Sequence, residues 1–171
     1  MAYSSNLLSM NDSVANHPSV ARVRQRLSDL HLTGEVKILA DSARSAREAA
    51  AALDVEVGQI CSSLIFVSAG APVLILTSGR HRVDTELVAR EQGLAPLERA
   101  DAELVKSATG FAIGGVAAIG HAHPITTYID RALAEYPIIW AAAGHPHAVF
   151  PTTFDELLRI TGAEAIAVAT E

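Results

Sequence analysis

Residues 60–77 read ICSSLIFVSAGAPVLILT and contain two apolar runs with several β-branched residues. The first run covers residues 60–67 and the second covers residues 72–77, and four small residues, 68–71, separate them. Apolar runs of this length joined by a short turn that contains glycine are typical of a β-hairpin. We therefore expect a hairpin at the centre of the chain.

The sequence before this hairpin predicts a helix, a strand and a second helix. Apolar residues recur at helical spacing over residues 18–32, with charged residues between them. Residues 35–40 alternate in the manner of a strand. Asp41 and Ser42 are suitable caps for an alanine-rich helix over residues 43–53.

Two helices with clear start and stop signals are expected after the hairpin. Asp84 precedes a helix through Glu91 that Gly93 ends. Asp101 precedes a shorter helix that ends near Gly110.

The rest of the chain predicts mainly strands. The glycine-rich residues 111–120 indicate a strand with a tight turn. Further strands are expected at residues 125–128, 137–142, 147–150 and 163–169, and helices at residues 130–135 and 153–160. Because strands outnumber the helices that could connect parallel neighbours, we expect an α+β fold in which helices surround a mixed or largely antiparallel sheet.

The length of 171 residues fits one domain. We expect this domain to cover residues 17–171, because residues 1–16 are polar enough to form a flexible N-terminal tail. The chain has 13 basic and 19 acidic residues and a net charge of −6. This balance excludes a broadly basic surface for nucleic acid and argues against DNA as a partner, while a local basic patch remains compatible with it.

Cysteine content and apolar run length bear on the compartment. Cys61 is the single cysteine and has no partner for an intramolecular disulfide. Residues 1–16 show no basic segment followed by an apolar one, so no signal peptide is expected. The longest aliphatic or aromatic runs are far shorter than the roughly 20 residues of a membrane helix. These features predict a cytoplasmic protein that does not contact a membrane.

The segment of residues 110–116, GFAIGGV, is the most suggestive functional candidate. Glycines allow backbone N–H groups to approach a phosphate or a developing oxyanion closely. A bulge or turn between two sheet segments explains the same residues and is favoured when the segment is considered alone.

Four histidines occur in two pairs with a spacing of two residues, His121 with His123 and His145 with His147. In an extended strand this spacing directs both rings to one face, as metal ligation requires. The adjacent prolines indicate loops instead, and no acidic residues complete a site, so exposed or hydrogen-bonded histidines are the favoured interpretation and no metal is expected.

Other candidates are short. Cys61 lies in an apolar strand, where a thiol is usually a buried apolar side chain with a raised pKa. Ser62 and Ser63 point to opposite faces of that strand, so one hydroxyl can border a pocket. Arg80 and Arg82 flank a histidine and form the best short basic cluster for a phosphate or carboxylate.

Taken in order, several segments resemble the YbaK family, the editing domains associated with prolyl-tRNA synthetase. They are residues 58–66, 72–77, 82–84 and 109–120, Asp130, and the turn at Ala143 and Gly144. The resemblance runs from about His17 to the C-terminus. It implies a compact α+β fold with a mixed, barrel-like sheet, and hydrolysis of the ester that joins a wrong amino acid to tRNA.

The resemblance also implies roles for individual residues. Backbone N–H groups of Gly114 and Gly115 would flank the scissile carbonyl, and the chemistry would use the ribose hydroxyl of the substrate and ordered water. The strand with Ser62 and Ser63 would form one wall of the pocket. The remaining substrate-binding residues expected are Arg80, Arg82, Asp130, Gly144, His145 and His147.

Two positions differ from the family pattern. The characteristic lysine of the family falls on Ser62, and the proline that usually follows the double glycine falls on Ala118. The missing lysine removes a cation expected to hold a phosphate or the terminal adenosine of the substrate. Arg80 or Arg82 is the hypothetical replacement.

The sequence and the resemblance together predict a free-standing aminoacyl-tRNA deacylase that binds the acceptor end of a mischarged tRNA and needs no cofactor. Two alternatives remain at this point. One is a binding module that has kept the fold and lost the chemistry, and the other is a metal-dependent hydrolase that uses the histidine pairs.

Overall fold

The computed structural model describes residues 10–40 and 43–170 of the chain. The helices are α1 (Pro18–Asp29), α2 (Ala46–Leu53), α3 (Thr85–Gln92), α4 (Ala102–Thr109) and α5 (Phe154–Thr161), with 3-10 turns at Val57–Gln59 and Arg131–Glu135. The strands are β1 (Lys37–Ile38), β2 (Ile60–Ser68), β3 (Ala71–Ser78), β4 (Leu97–Arg99), β5 (Thr126–Asp130), β6 (Ile139–His145), β7 (Ala148–Thr152) and β8 (Glu164–Ile166). Among these described residues, no helix has the length and apolar character needed to cross a membrane.

The strands form one mixed sheet in the order β1-β7-β6-β2-β3-β5-β8, and β4 also pairs with β2. The hairpin of β2 and β3 lies at its centre, antiparallel and in register from Cys61 opposite Ser78 to Ser68 opposite Ala71. Parallel pairs join β2 to β6, β3 to β5 and β5 to β8. The predicted hairpin and α+β fold are therefore confirmed.

The sheet is open, whereas the resemblance implied a barrel-like one. Over the described residues, β1 and β8 end the strand order and do not pair with each other. Each outer strand is short, with two residues in β1 and three in β8, so neither offers enough backbone to close the sheet.

Both faces of the central hairpin are covered, which explains its continuous apolar sequence. On β3, Leu74 and Leu76 belong to a large core with α1 and Phe111. Val73 and Ile75 point to the other face and pack in a second core with α3 and Val168. All four side chains are 3% exposed or less.

Local capping signals position the helices as predicted in most cases. Asp84 caps α3 and Asp101 caps α4, each through its side chain and the backbone N–H three residues on. The helix predicted at residues 43–53 begins later, because Ser45 and Glu48 form a reciprocal capping box. The predicted caps Asp41 and Ser42 lie outside the described residues.

Three segments differ from the sequence prediction. Residues 111–125 form an irregular loop instead of a strand, since their hydrogen bonds are local, as in Gly115 N–H to the Ala112 carbonyl at 3.0 Å. Strand β4 was not predicted, because three residues are too few to show an alternation. The predicted tail extends less far: residues 10–15 are helical and Val14 is buried in the core, while residues 1–9 lie outside the described residues.

Candidate active site

One edge of β2 has a gap between its strand partners. On this edge β6 pairs with Ile60 and Cys61, and β4 pairs with residues 66–68. Over the described chain, residues 62–65 have no strand partner there, and a cavity of about 290 Å³ borders them. The interrupted pairing therefore leaves a pocket in the middle of a sheet.

The backbone of Ser63 faces this gap. Residues of an antiparallel strand alternate in turning their N–H and C=O groups to one neighbour and then the other. The carbonyl of Ile60 accepts from Gly79 N–H on the β3 side, and that of Ile65 accepts from Ala100 N–H on the β4 side. Ser63 follows the pattern of Ile65, so its main-chain donor and acceptor point into the gap.

Ser62 and Ser63 of β2 both border the cavity, whereas the sequence predicted that one of the two hydroxyls would do so. Ser63 Oγ is buried and, among the described residues, has no hydrogen-bond partner. A buried hydroxyl without a partner is unfavourable in the free protein, so a ligand that bonds to it regains that free energy.

The glycine-rich loop forms the opposite wall. Gly114, at φ +87°, is the third residue of the turn that Ala112 and Gly115 close. The N–H of Gly115 is used inside this turn, so it is not available to a substrate as the resemblance implied. Within the described chain the N–H groups of Gly114 and Val116 have no acceptor, and both residues border the cavity. They are donors that this loop can offer to a ligand.

Gly115 has a different role, in holding the loop against the turn between β6 and β7. A Cβ atom on Gly115 would lie 3.3 Å from both the Gly144 carbonyl oxygen and the Cα of His145. Gly144, at φ +92°, in turn packs against α1, where a Cβ would lie 2.7 Å from the Ser19 carbonyl oxygen. Gly144 therefore supports the site by close packing and does not border the cavity.

His145 borders the cavity and is held in one tautomer. Its Nδ1 accepts from the backbone N–H of His147 at 3.1 Å, so Nε2 carries the proton in the neutral ring. The rings of His17 and His147 lie 5.2 and 5.5 Å away, centroid to centroid. Burial, followed by the charges of His17 and His147, lowers the pKa of His145. The side chain is thus a neutral donor at the cavity.

Two arginines that the sequence did not single out also border the cavity. Arg44 precedes α2, and Arg99 lies on β4 opposite Phe66. Both are exposed, and the described structure shows no ion pair at either. No local signal distinguishes them, because their position depends on pairing between strands that are distant in sequence.

Residues 40–160 match the family described as the aminoacyl-tRNA editing domain. The chain belongs to this family. A solved structure described as a candidate trans-editing enzyme for prolyl tRNA synthetase is 42% identical, with a TM-score of 0.85 over 91% of this chain and 99% of that one. Proteins of this family act on aminoacyl-tRNA, so the fold and the substrate class implied by the YbaK resemblance are confirmed.

Two further relatives are more distant. The solved structure of the hypothetical protein APE2540 is 27% identical, with a TM-score of 0.80 over 87% of this chain and 99% of that chain. The uncharacterized protein YwhH of Bacillus subtilis (strain 168) is 26% identical over 140 residues, which are 81% of this chain and 88% of that protein.

Several residues predicted for the site lie elsewhere in this editing domain. Arg80 Nη1 is 2.6 Å from Glu135 Oε2 and 3.1 Å from Tyr136 Oη. Arg82 is exposed in the loop after β3 and does not border the cavity. His147 also lies behind the cavity wall, where its Nδ1 is 3.2 Å from the Leu39 carbonyl oxygen.

Asp130 is part of a buried network at the ends of β3 and β5. One carboxylate oxygen accepts from Ser78 N–H at 3.0 Å and is 2.7 Å from Nδ1 of His81. The other accepts from Ala132 N–H at 3.0 Å and caps the 3-10 turn that follows. Asp130 thus fixes the end of the hairpin, with none of its atoms bordering the cavity.

The geometry does not favour Cys61 as a nucleophile or a cluster of side chains as a metal site. Cys61 is buried, and burial, followed by the charge of Asp130, raises its pKa to about 12. A thiol with this pKa is protonated at neutral pH and is a weak nucleophile. Among residues 10–40 and 43–170, no group of three or more His, Cys, Asp or Glu side chains is placed to hold a metal ion.

Proposed function

We propose that this protein is a free-standing trans-editing deacylase, which hydrolyses the ester between a wrong amino acid and tRNA. Membership of the editing-domain family and the 42% identity to a candidate trans-editing enzyme for prolyl tRNA synthetase support this proposal. The aminoacyl end of the tRNA would occupy the cavity in the gap of the sheet.

The observation that carries the proposal is the pair of N–H groups on Gly114 and Val116, which have no acceptor among the described residues and belong to residues that border the cavity. Water adds to the ester carbonyl carbon, and negative charge develops on the carbonyl oxygen. Preorganised backbone donors stabilise such an oxyanion, and removing one donor of this kind costs about 3 kcal/mol. No side-chain nucleophile is needed for this step.

The remaining bond changes follow from ester hydrolysis. The bond from the carbonyl carbon to the ribose oxygen breaks, and the proton that the water loses ends on that ribose oxygen. The YbaK resemblance implies that the neighbouring ribose hydroxyl of the substrate and ordered water carry this proton. The products are the free amino acid and an intact tRNA.

Small side chains give the cavity its selectivity for size. Ser62, Ser63 and Ala142 border it, whereas Ala141 and Ala143 point into the core. A pocket with such walls separates substrates by about 1–3 kcal/mol for each methylene group. This range is sufficient for a sieve that admits small amino acids and excludes larger ones.

In this proposal Arg44 and Arg99 replace the family lysine. Ser62 leaves the wall without a cation, and these two arginines are the positive side chains that border the cavity. A guanidinium group can bind a phosphate through two parallel hydrogen bonds. We assign them to the phosphates next to the terminal adenosine.

The test is a panel of mischarged tRNAs, including alanyl-tRNA and cysteinyl-tRNA for proline, incubated with the purified protein. The expected result is release of one small amino acid well above the spontaneous rate, with correctly charged tRNA left intact. Gly70→Ala is the control variant and should release the amino acid at the wild-type rate. Gly70 has φ +80° and open surroundings, and it lies in the hairpin turn and does not border the cavity.

A second candidate function is a binding module without catalytic activity, and the observation that favours it is Ser62 at the position of the family lysine. A folded protein that releases no amino acid from any tRNA of the panel, yet binds aminoacyl-tRNA, would support this function and contradict the deacylase.

A further inference from the structure

A second cavity, of about 650 Å³, has a basic character that the proposed chemistry does not use. Its lining includes Arg22, Arg26, His121 and His123, and no Asp or Glu among the described residues borders it. We call it the basic cleft. Two positive charges and two imidazoles without a carboxylate are unusual in a protein with a net charge of −6.

Arg22 is the most constrained of these cations. Its guanidinium lies 4.1 Å from the centre of the Phe111 ring, and its Nε and Nη2 are buried without a hydrogen-bond partner among the described residues. Arginine stays charged in proteins, so its charge is held in place without a counter-ion. A buried charged donor without an acceptor is costly, and a bound anion would offset that cost.

The glycine-rich loop, which forms the cavity wall opposite β2, continues over Arg22 and Arg26. Gly120 has φ +81°, and a Cβ atom there would lie 3.6 Å from Cγ of Arg26 and 3.9 Å from Cγ of Arg22. The two residues are four positions apart on α1, so they lie on the same face of the helix. The loop therefore packs on the aliphatic stems of both arginines, and both residues border one cleft.

His121 completes this side of the cleft. Its Nε2 is 2.7 Å from the Ala117 carbonyl oxygen, which fixes the ring, and its ring is 6.2 Å from that of Phe111. Burial lowers the pKa of His121, the hydrogen bond to the Ala117 carbonyl partly opposes this shift, and the charge of Arg22 lowers the pKa further. A bound anion would offset the charge of Arg22 and favour the protonated ring.

The basic cleft and the candidate active site share one loop. Val116 borders the first cavity and Ala118 borders the cleft. Two residues span at most about 7 Å of extended chain. The linings of the two cavities therefore approach each other to within about 7 Å along this loop.

We propose that the basic cleft binds a backbone phosphate of the tRNA whose aminoacyl end occupies the first cavity. The proposal rests on the proposed function for the identity of the polyanion. Arg22 and Arg26 supply the two guanidinium groups of this site.

The test is binding of an uncharged RNA hairpin that carries a tRNA acceptor stem and its CCA end, measured by fluorescence anisotropy at several salt concentrations. Arg22→Gln and Arg26→Gln are each expected to weaken binding about tenfold. Each is also expected to reduce the slope of log K against log salt by roughly 0.7 to 0.9, the value for one lost phosphate contact. Arg22→Lys keeps the charge and should keep the slope.

Arg24→Gln is the matched control, because Arg24 lies on the same helix, is exposed and does not border the cleft. It should bind the hairpin as the wild type does. Equal losses from Arg24→Gln and Arg26→Gln would overturn the proposal in favour of diffuse attraction. Arg26 is exposed and its side chain makes no hydrogen bond among the described residues, so its variant tests the cleft even if Arg22→Gln fails to fold.

Binding of inorganic phosphate tests whether the basic cleft takes a phosphate of the RNA backbone or free phosphate. Competition with the hairpin at millimolar phosphate, lost in Arg26→Gln, supports a phosphate site that RNA uses. Phosphate binding that depends on Arg26, combined with hairpin binding that does not, would overturn the RNA assignment. The deacylation panel is independent: normal cleft-dependent hairpin binding without amino acid release would refute the proposed hydrolysis and leave the cleft assignment standing.

Discussion

At the scale of single residues, the arginines of this protein differ in what they face. Arg80 and Arg82 form the obvious basic cluster, yet packing places Arg80 against Glu135 and Tyr136. Arg44 and Arg99 stand alone in the sequence and border the cavity because α2 and β4 flank the gap in the sheet. The difference arises from tertiary contacts, which local spacing does not encode.

Separate substitutions of Arg99 and Arg80 test which of the two arginines binds the tRNA. Arg99→Gln should raise KM for mischarged tRNA about tenfold and change kcat by less than about twofold, because it removes one charge-assisted phosphate contact. Arg80→Gln should leave both constants unchanged and lower the free energy of unfolding by less than about 1 kcal/mol, as expected for an exposed ion pair. Steady-state kinetics and urea unfolding measure these effects; an unchanged KM in Arg99→Gln would contradict our assignment.

His145 makes stability depend on pH in a defined direction. Its folded-state pKa is lowered by burial and by the charges of His17 and His147. The unfolded chain therefore binds a proton on His145 more readily than the folded protein does. Stability is full above the unfolded pKa, about 6.5, and is lost as pH falls through the folded value.

We expect the urea midpoint to fall between pH 7.5 and pH 5.0. In His145→Asn the fall should be smaller, because the amide oxygen can replace Nδ1 as the acceptor for His147 N–H and does not titrate. His31→Asn is a suitable control, since His31 is exposed at φ +56°, which Asn tolerates. A full fall in His145→Asn would show that another group governs the pH dependence.

At the scale of elements, features that depend on residues a few positions apart could be predicted from the sequence. Features that depend on contacts between distant segments could not. Asp84 and Asp101 marked helix starts correctly, because a cap depends on residues only three positions away. The glycine-rich residues 111–120 predict a strand with a tight turn because they are apolar, and the structure forms a loop there instead. Several of the apolar residues of this loop are buried. Its burial comes from α1 and the β6–β7 turn, which pack on it from distant positions.

The role of this loop is testable with two glycines in similar conformations. Gly114→Ala and Gly70→Ala each place a Cβ at positive φ with open space around it, so each should cost about 1 kcal/mol of stability. Only Gly114→Ala should lower kcat, by about 10- to 100-fold, because it strains the turn that holds the free N–H groups. Equal kcat values in the two variants would show that the loop does not act on the ester.

At the scale of the whole molecule, the site is a product of sheet topology. The central hairpin, the mixed sheet and the helices were predictable from apolar runs and caps. The gap beside β2 was not, because it exists only where β6 ends its pairing at Cys61 and β4 begins at Phe66. The resemblance to the editing family located this strand as a pocket wall, although the sequence alone contains no catalytic motif.

Filling the cavity tests the central claim most directly. Ala142 borders the cavity from β6, and Ala142→Leu extends into its open space, where overpacking should cost less than the usual 1–3 kcal/mol. The measurement is the first-order rate of amino acid release from mischarged tRNA by the wild type and by this variant, with thermal unfolding as the folding control. We predict at least a 100-fold acceleration by the wild type, about 2.7 kcal/mol, and a loss of at least tenfold in Ala142→Leu. Equal rates in both proteins, or no acceleration by the folded wild type, would contradict the account.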